Sequence, residues 1–186
     1  SVSSDPKIVL SADRLVVPGV GAFRDSMKEL TERGLDNAIR SFAEFERPML
    51  GICVGMQILF EGSDEFGDHS GLGLLKGRVR SIPKVNHLGV SHRVPHIGWN
   101  NLLLPLNDRD WVGSILEPLN TLQAAMYFVH SFSAVPADEQ DTLADFIYGG
   151  HRLCASVEKG SVMATQFHPE RSGEVGLSLL RRFIEL

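Results

Sequence analysis

The chain has 186 residues, of which 43% are hydrophobic and 22% charged, and its formal net charge is −5. This composition suits one ordinary domain with a sizeable core and excludes disorder as a class. The acidic balance and the lack of a basic patch disfavour nucleic-acid binding, and no apolar run approaches the ~20 residues that a membrane span needs.

Two features bear on where the chain works. Its first six residues have neither the basic start nor the apolar stretch of a signal peptide. Its two cysteines, Cys53 and Cys154, are too few for a disulfide framework, so the sequence predicts a reducing, cytoplasmic environment. Cys154 lies in a predicted strand without a glycine frame and is expected to be buried filler.

The first sixty residues alternate between strand and helix patterns. Short apolar runs that end in turns predict buried strands, and apolar residues at helical spacing predict amphipathic helices. In chain order the predicted elements are a strand at 15–17, a helix from Phe23 that stops at Gly34, and a helix from Leu35 that Pro48 ends. A strand at 49–52 follows, and then a helix that continues through Met56, Leu59 and Phe60.

The rest of the chain is richer in strand patterns, with runs of β-branched and aromatic residues. Strands are predicted at 74–80, 94–99, 126–132, 143–148, 153–157 and 162–167, a polar loop near 107–110, a hairpin turn at Gly149-Gly150, and a last helix through Leu177, Leu180 and Ile184. The whole predicts an α/β fold: an open, mostly parallel sheet with helices on both faces, plus an antiparallel β-rich segment.

The best candidate for chemistry is Cys53, which lies in Gly51-Ile52-Cys53-Val54-Gly55 between a predicted strand and helix. This pattern is typical of a nucleophile elbow, a sharp turn that needs small residues on both sides of the nucleophile. The following helix is expected to favour the thiolate, and the N–H of Val54 to face a developing oxyanion. The alternative is a buried structural cysteine, which the two glycines disfavour.

A cysteine nucleophile needs a base, and the best placed of the seven histidines is His168. It ends the last predicted strand, and the carboxyl ends of strands in an open α/β sheet face the ligand crevice. Pro169 keeps His168 extended, so Glu170 is predicted to lie on the same side and to bind the second ring nitrogen. The alternative is a satisfied core or surface histidine.

Two further patterns are less specific. His87, His92 and His96 fit no standard metal spacing, so a solvated loop is predicted in place of a zinc site. The turn Pro18-Gly19-Val20-Gly21 follows a buried strand, which suits a second backbone donor to an oxyanion as well as plain turn chemistry.

Three of these motifs together resemble the class I glutamine amidotransferases: the 18–21 turn, the elbow through Gln57, and Phe167-His168-Pro169-Glu170. Within that superfamily, three more segments resemble the glutaminase subunits of imidazole glycerol phosphate synthase. They are Val94-Pro95-His96-Ile97-Gly98-Trp99-Asn100, Tyr127-Phe128-Val129-His130-Ser131-Phe132 and Glu170-Arg171-Ser172-Gly173. The P-H-I-G-W-N run is the most discriminating, and the resemblance covers most of the chain, from about Ser4 to Leu186.

The resemblance implies a flavodoxin-like fold and a defined reaction. The Cys53 thiolate attacks the carboxamide of glutamine, His168 protonates the leaving ammonia, Glu170 holds the imidazole, and water hydrolyses the thioester. Ammonia passes to a cyclase partner, a (β/α)₈ barrel that forms a heterodimer with this chain, in a step of histidine biosynthesis. No metal or organic cofactor is implied.

The resemblance also implies binding positions. The oxyanion hole corresponds to Val20, Gly21 and Val54, and the Val20-Gly21 backbone to a strand that responds to the partner's ligand. The glutamine-binding positions correspond to Gly21, Val54, Gln57, Ser131 and Phe132. The family opens with a strand–helix–strand unit before the segment matching Ser4, so residues 1–186 are expected to form a single amidotransferase domain truncated at its amino end.

Three alternatives stay open from the sequence. Another class I glutaminase subunit, serving pyridoxal phosphate, purine or anthranilate synthesis, is disfavoured by the P-H-I-G-W-N run. A non-catalytic module that keeps the fold is the second. A cysteine hydrolase that acts on peptides is the third and weakest.

Overall fold

The computed structural model describes residues 1–121 and 125–186. The helices are α1 (Pro6–Ser11), α2 (Phe23–Glu32), α3 (Leu35–Glu44), α4 (Val54–Gln57) and α5 (Gly173–Glu185). The strands are β1 (Leu15–Gly19), β2 (Met49–Cys53), β3 (Phe60–Ser63), β4 (His69–Ser70), β5 (Leu75–Ser81), β6 (His96–Asn101), β7 (Ala125–His130), β8 (Phe132–Pro136), β9 (Thr142–Tyr148), β10 (His151–Lys159) and β11 (Val162–Thr165). Short 3₁₀ turns lie at Glu117–Thr121, Glu139–Asp141 and Pro169–Arg171.

The described strands form a five-stranded sheet in the order β1-β2-β11-β10-β9, a four-stranded sheet in the order β4-β3-β5-β8, and the pair β6-β7. In the first sheet β1, β2 and β11 run parallel to one another. Strand β10 pairs antiparallel with β11, and β9 pairs antiparallel with β10. The predicted α/β class with an added antiparallel segment is confirmed. The hairpin predicted at Gly149-Gly150 is also confirmed, because Tyr148 of β9 pairs with His151 of β10.

The parallel strands bring three motifs to one edge of this sheet. Gly19 at the end of β1 pairs with Cys53 at the end of β2, and Ile52 pairs with Thr165 at the end of β11. Parallel strands present their carboxyl ends at the same edge. The segments that leave these strands are therefore neighbours, although they are far apart in the sequence.

The two predicted amphipathic helices, α2 and α3, are confirmed, and Gly34 separates them in a left-handed conformation (φ +68°). Helix α1 was not predicted, although its sequence carries a start signal: Asp5 accepts a hydrogen bond from Lys7 N at 2.9 Å, and Pro6 is its first residue. It packs on α3 through Val9. No helix in the described part of the chain is long and apolar enough to cross a membrane.

The helix predicted through Phe60 is wrong in extent. It ends at Gln57, and Phe60 begins β3, where it pairs with Leu75. Every residue from Met49 to Phe60 is buried, so no polar face is left to distinguish a helix from a strand.

The single strand predicted at 126–132 is also wrong. His130 of β7 pairs with His96 of β6, whereas Phe132 of β8 pairs with Ser81 of β5, so the chain changes sheets at Ser131. A continuous apolar pattern does not record which neighbour each strand pairs with.

Candidate active site

Cys53 lies on a strained turn between β2 and α4. Its φ of +56° and ψ of −113° are uncommon for any residue with a side chain. A β-carbon on Gly51 would lie 2.8 Å from Gly55 O, and one on Gly55 would lie 1.8 Å from Val17 O. The structure thus has the tight turn that the glycine frame predicts, and both glycines are needed because backbone approaches them so closely.

His168 follows β11 and faces the same edge of the sheet. Its Nδ1 lies 2.7 Å from Glu170 Oε1, and its backbone N–H donates to Tyr127 O at 2.9 Å. Ser172 Oγ donates to His168 O at 2.6 Å and holds the segment from the other side. His168 is extended as predicted, but Glu170 reaches the ring through the 3₁₀ turn Pro169–Arg171 and not along an extended strand.

A cavity of about 430 Å³ joins these segments. Its walls include these predicted residues: Val20, Gly21, Cys53, Val54, Gln57, Ser131, Phe132 and His168. Glu170 lies behind His168 with a half-exposed side chain. A separate cavity of about 290 Å³ around Asp145 and Arg152 contains none of the predicted catalytic residues.

The helix start does favour the Cys53 thiolate, since the N–H of Val54 lowers the pKa of Cys53, but burial has the larger effect. Burial raises the pKa of the Cys53 thiol to about 11, against the lowering by the N–H of Val54 and the amide of Gln166, and the charge of Glu170 raises it further. Helix α4 has only four residues, so few peptide dipoles are aligned behind the sulfur. Cys53 is therefore a thiol at neutral pH. Cys154, as predicted, is buried in β10.

Two buried side chains at the site were missed from the sequence. Gln166 is fully buried, accepts a hydrogen bond from Gln57 Nε2 at 3.0 Å and places its own Nε2 3.8 Å from Cys53 Sγ. Its spacing of two from His168 was a usable signal, since residues i and i+2 of a strand share a side. Glu65 lines the cavity and accepts from Phe23 N, at the start of α2, at 2.7 Å. No local pattern marks Glu65.

The solvated loop predicted for three histidines is wrong for His96. This residue is buried in β6, stacks against Phe128 and Phe146, and its Nδ1 lies 3.3 Å from His130 Nε2. The pairing of β6 with β7 places it there, whereas His87 is exposed. Within residues 1–121 and 125–186, no group of three or more His, Cys, Asp or Glu is arranged to hold a metal ion.

Comparisons with known proteins identify the class. The family model "Glutamine amidotransferase class-I" matches residues 4–186. A crystal structure described as a glutamine amidotransferase has the same fold, with a TM-score of 0.69 at 23% identity, and the match covers 98% of this chain and 83% of that one. The chain belongs to the class I glutamine amidotransferases.

Similar curated proteins identify the family within this class. Imidazole glycerol phosphate synthase subunit HisH 1 of Legionella pneumophila (strain Lens) is 46% identical over 183 residues, which cover 98% of this chain and 85% of the relative. Subunit HisH of Aquifex aeolicus (strain VF5) is 46% identical over 184 residues, covering 98% and 82%. Within the class, the chain belongs to the family of these HisH subunits, as the P-H-I-G-W-N run indicated.

Proposed function

We propose that this chain is the glutaminase subunit of an imidazole glycerol phosphate synthase, which hydrolyses glutamine through a thioester on Cys53. The observation that carries the proposal is the shared cavity: a cysteine on a strained elbow and a histidine backed by a carboxylate meet there from two different strands. This arrangement matches a nucleophile, its base and the group that orients the base.

The first step moves a proton. Because burial keeps Cys53 a thiol, its proton must leave as Sγ attacks. The contact of His168 Nδ1 with Glu170 makes Nδ1 the protonated nitrogen and leaves Nε2 as an acceptor. Nε2 is buried and has no hydrogen-bond partner among the described residues. We assign it as the base that accepts the thiol proton.

The next steps form and break the bonds to carbon. Sγ bonds to the carboxamide carbon of glutamine, and the carbonyl oxygen takes up negative charge. The N–H of Val54 and a backbone donor from Val20-Gly21 stabilise that oxygen, and one such donor typically contributes ~10²–10³ in rate. The C–N bond then breaks as the proton on His168 Nε2 passes to ammonia. A water attacks the thioester by the same route and releases glutamate.

Substrate binding uses polar groups of the same cavity. Both protons of Gln57 Nε2 are committed, to Phe132 O at 3.1 Å and to Gln166, so Oε1 is the atom of Gln57 that accepts from glutamine. The carboxylate of Glu65 faces a mostly neutral cavity and suits the α-ammonium group. Ser131 and the main chain at Gly21 and Phe132 complete the site.

The proposed partner is a (β/α)₈-barrel cyclase that receives the ammonia. Ile97 and Trp99 expose 48% and 58% of their surface on β6. Trp99 contacts Tyr127, and the guanidinium of Arg171, a cavity residue, lies 4.7 Å from the centre of the Tyr127 ring. Exposed apolar and aromatic side chains beside a cavity mark an interface. The cytoplasmic location stays a prediction, consistent with the free thiol that this chemistry needs.

The test is ammonia release from glutamine by the chain with its cyclase and the cyclase ligand. Cys53→Ser keeps the shape of the side chain but removes the sulfur nucleophile, so we expect turnover to vanish while the complex still forms on size exclusion. Cys154→Ser is the matched control and should retain turnover. Wild-type turnover by Cys53→Ser would overturn the proposal. If only the synthase partner of another pathway stimulated ammonia release, the chain would be assigned to that other synthase.

A further inference from the structure

Gln166 touches the nucleophile and has no part in the steps above. It lies one residue beyond β11 and is fully buried, and its backbone N–H donates to Ala155 O at 2.8 Å. Its Nε2 is 3.8 Å from Cys53 Sγ, within hydrogen-bonding range for sulfur, and its Oε1 accepts from Gln57 Nε2 at 3.0 Å. The amide is thus held at both ends, with one end on the reacting atom.

A backbone carbonyl determines which end that is. Phe132 O can only accept, so Gln57 must direct Nε2 towards it. The same nitrogen then requires an acceptor, so Gln166 must present Oε1 to Gln57. Gln166 is left with its donor, Nε2, against Sγ. Flipping either amide would bring two donors or two acceptors together in a buried place, which costs the desolvation of both groups.

The carbonyl that sets this polarity is itself fixed from the other side. His130 Nδ1 donates to Phe132 O at 2.8 Å, which leaves His130 Nε2 to accept from His96 Nδ1. A continuous series of hydrogen bonds of fixed direction therefore connects the β6-β7 pair to the sulfur. None of the side chains in this hydrogen-bond series has to ionise for the N–H of Gln166 to face Sγ.

We propose that Gln166 is a further catalytic residue, whose side-chain N–H stabilises the Cys53 thiolate when it forms during attack and again when the thioester is hydrolysed. A buried anion is costly unless it is hydrogen-bonded, and hydrogen bonds to charged groups are about twice as strong as neutral ones. An amide also suits this position because it carries no titratable proton and cannot compete with His168 for the thiol proton. The inference rests on the proposed function for the identity of the reaction, but its physical effect is present without glutamine.

The experiment measures the reactivity of the thiol itself. Wild type and Gln166→Met are treated with iodoacetamide at fixed pH 8, and modification of the Cys53 peptide is followed by mass spectrometry. Loss of one hydrogen bond to a charged group lowers the thiolate fraction by about tenfold. A more basic thiolate is also more nucleophilic, and this recovers part of the lost alkylation rate. We expect a net decrease of about fourfold in the alkylation rate constant.

Thr165→Val is the matched control, because Thr165 is also fully buried and donates to Phe167 O, not to sulfur. It should alkylate at the wild-type rate. If Gln166→Met does not fold, Gln166→Asn keeps a buried amide but withdraws it from Sγ by about one bond length, and the same decrease is expected. Wild-type reactivity in a folded Gln166 variant, or an equal loss in Thr165→Val, would overturn the role. Since no glutamine is present, this result is independent of whether Cys53→Ser abolishes glutaminase turnover.

Discussion

Gly55 and Val17 approach so closely that a β-carbon on Gly55 would lie 1.8 Å from the carbonyl oxygen of Val17. At this point the backbones of strand β1 and helix α4 lie against each other. Gly19 is placed in the same way, since its β-carbon would lie 2.7 Å from Gly55 N. This contact sets the distance between the Val20-Gly21 segment and Cys53, so the glycines position both sides of the proposed oxyanion hole.

Gly55→Ala should therefore destabilise the protein strongly. The added carbon meets backbone, which cannot rotate away, so we expect the free energy of unfolding to fall by at least about 3 kcal/mol. Urea unfolding followed by circular dichroism measures it. Gly160→Ala is the comparison: its β-carbon would meet open space but its φ is +56°, so a cost of about 1–2 kcal/mol is expected. Similar losses in both variants would contradict the close contact.

Glu170→Gln should slow ammonia production less than His168→Ala. His168→Ala removes the base, which lowers the rate by ~10²–10⁴-fold. In Glu170→Gln the new amide oxygen can still accept from His168 Nδ1, so only the charge that stabilises the imidazolium is lost. Steady-state assays with the cyclase present give both rates. Glu174→Gln, an exposed neighbour outside the site, serves as the control. Equal losses in two folded variants would refute this division of roles.

Glu65→Gln should raise the KM for glutamine by about tenfold or more and change kcat little, because the charge that binds the ammonium group is lost. Stability should hold, since the glutamine oxygen can still accept from Phe23 N. Glu65→Ala removes that contact too and should cost about 1 kcal/mol in addition. The substrate role fails if KM is unchanged in Glu65→Gln.

Acid should destabilise the protein partly through its buried histidines. Burial lowers the pKa of His96 to about 4 and that of His130 to about 3. An unfolded histidine titrates near 6.5, so between about pH 6.5 and 4 the unfolded state binds more protons and stability falls as the pH falls. His96→Phe, which suits the surrounding aromatic rings, should reduce the loss between pH 7.5 and 4.5 by about 2 kcal/mol.

Urea unfolding at the two pH values gives that difference directly. Any pH-independent cost of the substitution cancels in it. His87→Phe, at an exposed histidine, should retain the full wild-type loss. An unchanged pH dependence in His96→Phe would show that this histidine does not carry the effect.

The sequence by itself determined the parts of the site that consecutive residues make. The elbow at Cys53 needs small residues two positions away on each side, and the pairing of His168 with Glu170 spans three residues, so both are visible as local patterns. The helices from Phe23 to Glu44 were predictable for the same reason, since each has an apolar face at regular spacing.

Only the tertiary structure decided which distant groups complete the site and whether Cys53 is protonated. Gln57 and Gln166 are 109 residues apart, and Glu65 and Phe23 are 42 apart, so no local pattern records their contacts. The same holds for His96, which the pairing of β6 with β7 buries. Protonation of Cys53 follows the total desolvation at the sulfur, to which many chain segments contribute, and this outweighs the few aligned dipoles of α4. Local geometry follows from neighbours along the chain, whereas burial and hydrogen-bond partners follow from neighbours in space.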